Sequence, residues 1–149
     1  MCGFLICGKA LICSLGFLIF QFCLLEAIKG FIAMLNCSFD YLMLDTVLAT
    51  VTVSEDKVSV VNYAEDKMNL PFGYNENPDI EDLEILFEDR CVPIDRFNIK
   101  QLVKDFNQGY DRYSIIRVTH GIMSDDFFWL RFDDEKHLTW NDVKHWKYH

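Results

Sequence analysis

The residues best suited to chemistry follow one another closely late in the chain, where a histidine precedes a serine and two aspartates: His120, Ser124, Asp125 and Asp126. Imidazole and carboxylate groups coordinate metal ions and carry protons, so this group predicts a metal site or an acid–base pair. The alternative is a turn at Gly121 and a polar loop that leads into a strand. We favour the loop, because adjacent side chains of an extended segment point to opposite sides.

A second pair of metal-ligand type lies at the end of the chain, where His145 and His149 are four residues apart. This spacing places two imidazoles on one face of a helix, as in many helical metal sites. The pair has no cysteine or glutamate at a matching spacing, and the last residues of a chain often fray. We therefore favour an ordinary solvent-exposed pair.

Positive charge gathers around one turn, where Arg90 and Arg96 flank Pro93 and where Lys100 and Lys104 follow at helical spacing. Such a stripe could contact an acidic protein or a phosphate group. Pairing with aspartates of the same segment explains the stripe equally well. The turn at 90–96 is the first of two predicted protein-binding sites.

Aromatic residues are unusually numerous near the C-terminus for a domain of this size: Phe127, Phe128, Trp129, Phe132, Trp140 and Trp146. Most of them must form the hydrophobic core, on which a small domain depends. Any that stay exposed would mark a protein-binding patch. The aromatic strand predicted at 127–132, which contains Trp129, is the second predicted protein-binding site.

No catalytic motif accompanies these residues. The sequence lacks a Gly-x-Ser-x-Gly elbow, a glycine-rich phosphate loop, a His-Glu-x-x-His motif and a kinase catalytic loop. Its cysteines form no Cys-x-x-Cys pair, so neither a zinc site nor a disulfide framework is expected. Cys91 is expected to be an ordinary half-buried thiol. The sequence favours a non-enzymatic protein without a cofactor.

The length and the net charge of the chain limit the classes of protein to which it can belong. A chain of 149 residues suits one domain. Its formal net charge of −9 comes from residues 45–149, which hold 12 Lys and Arg against 21 Asp and Glu. Affinity for phosphate backbones comes mostly from Lys and Arg, so this acidic composition argues against binding to DNA or RNA.

Residues 1–36 form a hydrophobic leader that differs from the rest. The uncharged stretch 10–25 would span ~24 Å as a helix, short of the ~30 Å hydrocarbon core of a bilayer. Continuing past Glu26 and Lys29 gives enough length for a transmembrane helix over about 10–32. The other interpretation is that translation starts near Met34 or Met43. The transmembrane helix predicts a single-pass membrane protein, whereas the later start predicts a cytoplasmic protein.

Residues 37–149 predict one small acidic α+β domain that begins with a hairpin. Alternating β-branched residues at 46–53 and 58–63, separated by a polar turn, predict its two strands. The first of three short helices is predicted to start with Asn77 as N-cap and Pro78 as its first residue.

Two more helices, a strand and a terminal helix complete the predicted domain. The second helix is predicted from Asp95 to a C-cap at Gly109, and the third from Asp111 to a stop at Gly121. After the strand at 127–132, Thr139 with an aspartate three residues later predicts the start of the last helical turn.

Five stretches carry a resemblance that covers about residues 39–146. They are Tyr41-Leu42-Met43, Leu70-Pro71-Phe72-Gly73, the stretch 83–93 followed by Arg96, the stretch 119–129 and the stretch 138–143. Together they resemble the N-terminal accessory region of HipA-like serine/threonine kinase-fold proteins. The most specific parts are the Arg-x-x-Pro-x-x-Arg turn (Arg90, Pro93, Arg96) and the block from Gly121 to Trp129.

The resemblance does not carry phosphotransfer activity, because the residues that would bind ATP and Mg²⁺ have no counterpart here. It implies an accessory or regulatory module linked to toxin–antitoxin, phage or mobile-element biology, with a kinase-fold protein as a partner, and it favours a start near Met34. We therefore expect a non-enzymatic module that binds a protein through Arg90, Pro93, Arg96 and Trp129. The alternatives are a membrane-anchored protein that recruits a partner, and a metal-dependent enzyme using His120, Asp125 and Asp126.

Overall fold

The computed structural model describes residues 36–91 and 112–148. In chain order its strands and α-helices are β1 (Asn36–Met43), β2 (Thr46–Ser54), β3 (Lys57–Asn62), α1 (Ile80–Asp89), α2 (Arg112–Thr119), β4 (Phe128–Phe132) and α3 (Trp140–Val143). Short 3-10 turns occupy Lys67–Asn69, Asp133–Glu135 and Lys144–Tyr148. The mixed helix and sheet content confirms the expected α+β class.

Two predicted segments lie outside the described residues: the hydrophobic leader, apart from Asn36, and the second helix, predicted from Asp95 to Gly109. Among the helices that are described, none is long and apolar enough to cross a bilayer.

The four strands form one antiparallel sheet in the order β3-β2-β1-β4. The predicted hairpin is confirmed as β2 and β3, with Val53 opposite Val58 beside its turn. The sequence did not predict β1 as a strand, yet it lies inside the sheet and pairs with both β2 and β4. Through β1, the C-terminal strand joins the hairpin in a single sheet.

Both faces of the sheet carry buried apolar side chains. On the face that packs against α1 and α2, the larger cluster includes Phe39, Val51, Phe87 and Ile116. A smaller cluster is made by Leu42, Ile122, Trp129 and Val143. Successive residues of a strand point to opposite faces, so Trp129 lies across the sheet from Leu130, which belongs to the larger cluster. The C-terminal α3 therefore covers the second face near the end of β1.

The pairing of β1 with β2 contains one irregularity, which lies in β2. The pairing register between β1 and β2 shifts between Tyr41 and Leu42. An extra residue in one strand reverses the side-chain alternation beyond it. Tyr41 pairs with Ala49 and Leu42 with Val47, so the extra residue is Leu48 of β2, and Leu48 and Ala49 both pack in the larger cluster. β1 itself alternates regularly, with Tyr41 in the larger cluster and Leu42 in the smaller one.

The start of α1 differs from its prediction by two residues. Asp79, not Asn77, is the N-cap: its carboxylate accepts a hydrogen bond from Asp82 N at 3.1 Å. Asp82 Oδ2 in turn accepts one from Asp79 N at 3.0 Å. A capping box needs such an acceptor three residues after the cap. Asn77 has Ile80 at that position, so it cannot form the reciprocal pair.

Two other predicted helix ends, at Gly121 and Thr139, agree with the structure. The third predicted helix is α2, and the chain turns immediately after it at Gly121, which has a positive φ of 63°. At α3, Thr139 N donates to Asp142 Oδ2 at 2.9 Å, as expected for the predicted N-cap. Both helix ends are determined by residues close together in the sequence, which is why the sequence predicted them.

Candidate functional site

The structure places Arg90 inside the protein. It follows α1, and its guanidinium contacts both carboxylate oxygens of Asp126, at 3.0 Å and 2.7 Å. One of its nitrogens also donates to Tyr41 Oη at 3.2 Å. The rings of Tyr41 and Phe128 stack with centroids 5.4 Å apart and flank the cation. Arg90 therefore joins α1, β1 and the loop before β4, and its charge is satisfied internally.

This placement changes the interpretation of the first predicted binding site. Arg90 was predicted as part of a surface turn, but its side chain is buried and bound to Asp126. Pro93 and Arg96 lie outside the described residues. Cys91 is buried in the larger cluster, deeper than the half-buried position expected for it.

The group His120, Asp125 and Asp126 is not assembled into a common site. Asp126 is occupied by Arg90, and the side chain of Asp125 is exposed. His120 Nδ1 instead faces Glu135 Oε2 at 3.6 Å. Among residues 36–91 and 112–148, no three His, Cys, Asp or Glu side chains are placed to share a metal ion. His149, the second member of the other histidine pair, lies outside the described residues.

His120 is buried, and its contacts are with residues that form the fold. Its backbone adopts a positive φ of 54°, its carbonyl accepts from Leu130 N, and its ring meets Trp129 edge-on at 6.1 Å. Burial, with the nearby positive charge of Arg117, lowers the pKa of His120 from 6.5 to about 4. The imidazole is therefore neutral in the folded protein at neutral pH.

Acid is expected to destabilise the folded state through His120. Between pH 6.5 and about 4 the unfolded chain binds a proton that folded His120 excludes, so stability falls as the pH decreases through this window. Burial raises the pKa of Glu135, which gives the opposite trend. Urea unfolding of the protein and of His120→Asn across this window isolates the histidine contribution. The variant is expected to lose less stability on acidification, and an identical loss in both proteins contradicts the assignment.

Trp129, the centre of the second predicted site, is fully buried. It packs with Leu42, Ile122 and Val143, so its ring is not available on the surface. Its indole Nε1 donates to the carbonyl oxygen of Leu44 at 2.5 Å. Trp129 therefore acts as a positioning residue for the β1–β2 turn and does not itself offer a contact surface.

The end of the sheet next to Trp129 carries four apolar residues that we name the turn-end patch: Met43, Leu44, Phe127 and Trp140. Met43, Leu44 and Phe127 are exposed by 37%, 43% and 51%, while Trp140 is partly buried. Leu44 N donates to Phe127 O at 3.0 Å, and the Phe127 and Trp140 rings meet at 6.0 Å. Three segments distant in sequence thus meet at one end of the sheet.

Polar contacts fix the shape of the turn-end patch. Asp45 Oδ1 accepts a hydrogen bond from Trp140 N at 2.7 Å, which ties the β1–β2 turn to α3. Lys147 Nζ lies 4.1 Å from the Phe127 ring centroid and donates to Asp126 O. The backbone N–H and C=O groups of Leu44 are also hydrogen-bonded, so the backbone of the patch is fixed by contacts within the protein.

Leu44 adopts a backbone conformation that is unfavourable for its residue type. Its φ is 55°, in the left-handed region where a side chain with a Cβ is strained and where glycine or asparagine is usual. A two-residue hairpin turn requires such a conformation. Here the position is taken by a large apolar residue whose side chain is exposed.

Sequence reasoning found only part of this patch. The aromatic run drew attention to Phe127 and Trp140 as side chains that would mark a binding surface if exposed. Leu44 was missed because β1 was not recognised, so the tight turn between β1 and β2 was not expected. The pair Leu44-Asp45, which lies between two apolar segments, is the sequence signal that could have predicted this turn.

Comparison with known proteins adds no relative. No protein-family model, curated protein or solved structure matches the chain.

Proposed function

We propose that this chain is a non-enzymatic accessory module that binds a protein partner through the turn-end patch. The observation that carries the proposal is the grouping of exposed Met43, Leu44 and Phe127 at one end of the sheet. Single exposed apolar residues are common on soluble proteins, but grouped ones with aromatic members are typical of interaction surfaces.

The strained conformation of Leu44 supports the same proposal. A non-glycine residue in the left-handed region costs about 1–2 kcal/mol. Glycine would remove this strain, whereas leucine keeps an apolar side chain on the surface. A binding role for the Leu44 side chain accounts for a residue that stability alone would disfavour.

The charge of the protein suggests the chemistry of the partner. The chain carries a net charge of −9. Exposed Asp45 follows Leu44, and exposed Asp125 lies two residues before Phe127, whose ring also contacts Lys147. Negative potential of this kind accelerates association with a positively charged surface and disfavours acidic partners. We therefore propose a partner with an apolar anchor and basic residues around it.

The resemblance to the HipA-like accessory region adds a partner class to this proposal. It suggests that the partner is a kinase-fold protein, with this chain in an accessory or regulatory role. The surface chemistry and the partner class are separate parts of the proposal, and a single experiment can distinguish them.

Site-specific photo-cross-linking in the native host tests the proposed function. A photoreactive phenylalanine analogue replaces Phe127 in one protein and Ile85 in a control, because Ile85 is exposed to nearly the same degree (53%) but lies on α1. We expect a cross-linked protein from position 127 that position 85 does not give and that Leu44→Asp removes. A kinase-fold protein in the product supports the partner class, and another protein contradicts that class alone. No product from position 127, or the same product from both positions, contradicts the proposal.

Leu44→Gly is expected to change stability and binding in opposite directions. Glycine removes the left-handed strain, so the free energy of unfolding should rise by about 0.5–1 kcal/mol. Loss of the apolar side chain should weaken capture of the cross-linked partner. Denaturant unfolding and the cross-linking yield measure the two effects. A variant that is less stable than the unmodified protein, or that is captured equally well, contradicts the role given to Leu44.

A further inference from the structure

The two edge strands of the sheet, β3 and β4, differ in how their outward backbone groups are bonded. At β4, two of the backbone N–H groups that point away from β1 are occupied: Phe128 N donates to Asp126 Oδ1 at 3.0 Å, and Leu130 N donates to His120 O at 2.8 Å. Proteins commonly cover an edge strand in this manner, because free N–H and C=O groups pair readily with another strand. The β4 edge is thus partly covered by neighbouring residues.

In the part of the chain that the structure describes, the β3 edge is open. Tyr63 N donates to Leu48 O, and the β2–β3 register continues from there. Because inward and outward bonding alternate along an antiparallel strand, Val58, Val60 and Asn62 direct their N–H and C=O groups away from β2. Within the described ranges 36–91 and 112–148, no residue forms a hydrogen bond to these groups.

The side chains of β3 do not protect this edge. Natural edge strands are usually guarded by prolines, bulges or several charges. Residues 57–64 contain one charge, Lys57, and no carboxylate, although the chain as a whole carries −9. Val61 and Tyr63 expose more than half of their surface beside the open edge. The strand is therefore suited to pairing with another strand.

We propose that the β3 edge pairs antiparallel with β3 of a second copy of this chain, around a two-fold axis at Val60. The outward groups of Val58 then bond to those of Asn62 of the second copy, and Val60 bonds to its own equivalent. The four-stranded sheets join into one continuous sheet of eight strands. This dimer surface lies at the sheet edge opposite to β4 and is separate from the turn-end patch.

The facing side chains favour a second copy over an unrelated strand. In this register Lys57 lies opposite Tyr63 of the second copy, and Ser59 lies opposite Val61 of the second copy. Tyr63 is already oriented, since its hydroxyl lies 3.3 Å from Thr50 Oγ1, and its ring can accept the Lys57 ammonium. No like charges face each other along the strand, so the sequence of β3 is its own complement.

Mixed cysteine variants of the full chain test both the pairing and its register. Ser59 and Val61 of the second copy would form a non-hydrogen-bonded pair with Cα atoms roughly 4.5 Å apart, whereas two Ser59 residues would be diagonal neighbours roughly 7–8 Å apart. A disulfide needs Cα atoms within roughly 7 Å. Mixing Ser59→Cys with Val61→Cys under mild oxidation should therefore give at least about tenfold more 59–61 linked peptide than either variant alone gives of 59–59 or 61–61.

Mass spectrometry of the non-reduced peptides separates these links from those of the native cysteines. Asn62→Pro provides a second test, because proline removes an outward N–H and is tolerated where that group faces solvent. Sedimentation should show a dimer for the unmodified chain and for the control Val61→Thr, and a monomer for Asn62→Pro. A monomeric unmodified chain, a dimer that persists in folded Asn62→Pro, or no excess of the 59–61 link overturns the proposal. If Asn62→Pro does not fold, the cross-link result decides.

Discussion

Asp126→Ala is expected to lower the free energy of unfolding by about 3–5 kcal/mol, because it leaves a buried guanidinium without its counter-ion. The Arg90 side chain is only 11% exposed, so water cannot replace the carboxylate. Phe128 N loses its acceptor in the same variant. Denaturant unfolding monitored by tryptophan fluorescence gives the change directly.

The reverse substitution, Arg90→Met, is expected to be milder, at about 2 kcal/mol. The Asp126 side chain is 28% exposed, so its carboxylate can be hydrated when the cation is removed. Methionine also keeps an apolar contact with the rings of Tyr41 and Phe128. The double variant should lose less than the sum of the two single losses, because neither charge is then unpaired.

The pair of Arg117 and Asp134 provides the control for this experiment. Its contacts are equally short, at 2.9 Å and 2.6 Å, but the Asp134 side chain is 67% exposed. Exposed ion pairs contribute little, so Asp134→Ala should cost less than about 1 kcal/mol. Equal losses for Asp126→Ala and Asp134→Ala would mean that burial of the Arg90 pair does not determine its contribution.

Trp129→Ala is expected to be the other strongly destabilising substitution, with a loss of about 3–5 kcal/mol from the cavity that it creates. The ring is completely buried and supports the smaller cluster next to the turn-end patch. Trp146→Phe is the matched control. Its ring is only partly buried, and phenylalanine retains most of the apolar volume, so a smaller loss is expected.

Trp129→Phe separates the hydrogen bond from the packing. It removes the indole N–H and leaves the Leu44 carbonyl without this donor, which should cost about 1–3 kcal/mol. The released turn should open more often, so the Leu44 amide that donates to Phe127 O should exchange faster with solvent deuterium. Unchanged exchange at Leu44 would show that Trp129 fills space without holding the turn.

The parts of the fold that the sequence predicted are those determined by neighbouring residues. Alternation of β-branched residues identified β2 and β3, and the Thr139–Asp142 spacing identified the start of α3. The strand β1 was not recognised because both of its faces are buried, so apolar Tyr41 and Leu42 are adjacent and do not alternate with polar residues. The buried carboxylate of Asp40 also makes the sequence of β1 unlike that of a buried strand. Asp40 is paired with Arg131 and Lys136, residues that adjoin it only in the folded sheet.

The candidate site was less predictable for the same physical reason. Arg90 was expected on the surface because arginine is rarely buried without a partner. Its partners Tyr41 and Asp126 lie 49 and 36 residues away, and no spacing rule links them. The aromatic run did identify Phe127, but spacing does not separate it from Trp129, since residues two apart point to the same side of a strand. The structure buries Trp129 and leaves Phe127 at the surface.

The affinity of the cross-linked partner for two serine variants tests the binding role of the turn-end patch most directly. Phe127→Ser removes an exposed ring from the patch, and Ile85→Ser removes a similarly exposed side chain from α1. We expect Phe127→Ser to raise the Kd by at least about tenfold, equivalent to about 1.4 kcal/mol, and Ile85→Ser to leave it unchanged. An unchanged Kd for Phe127→Ser, or an equal increase in both variants, would contradict binding through the turn-end patch.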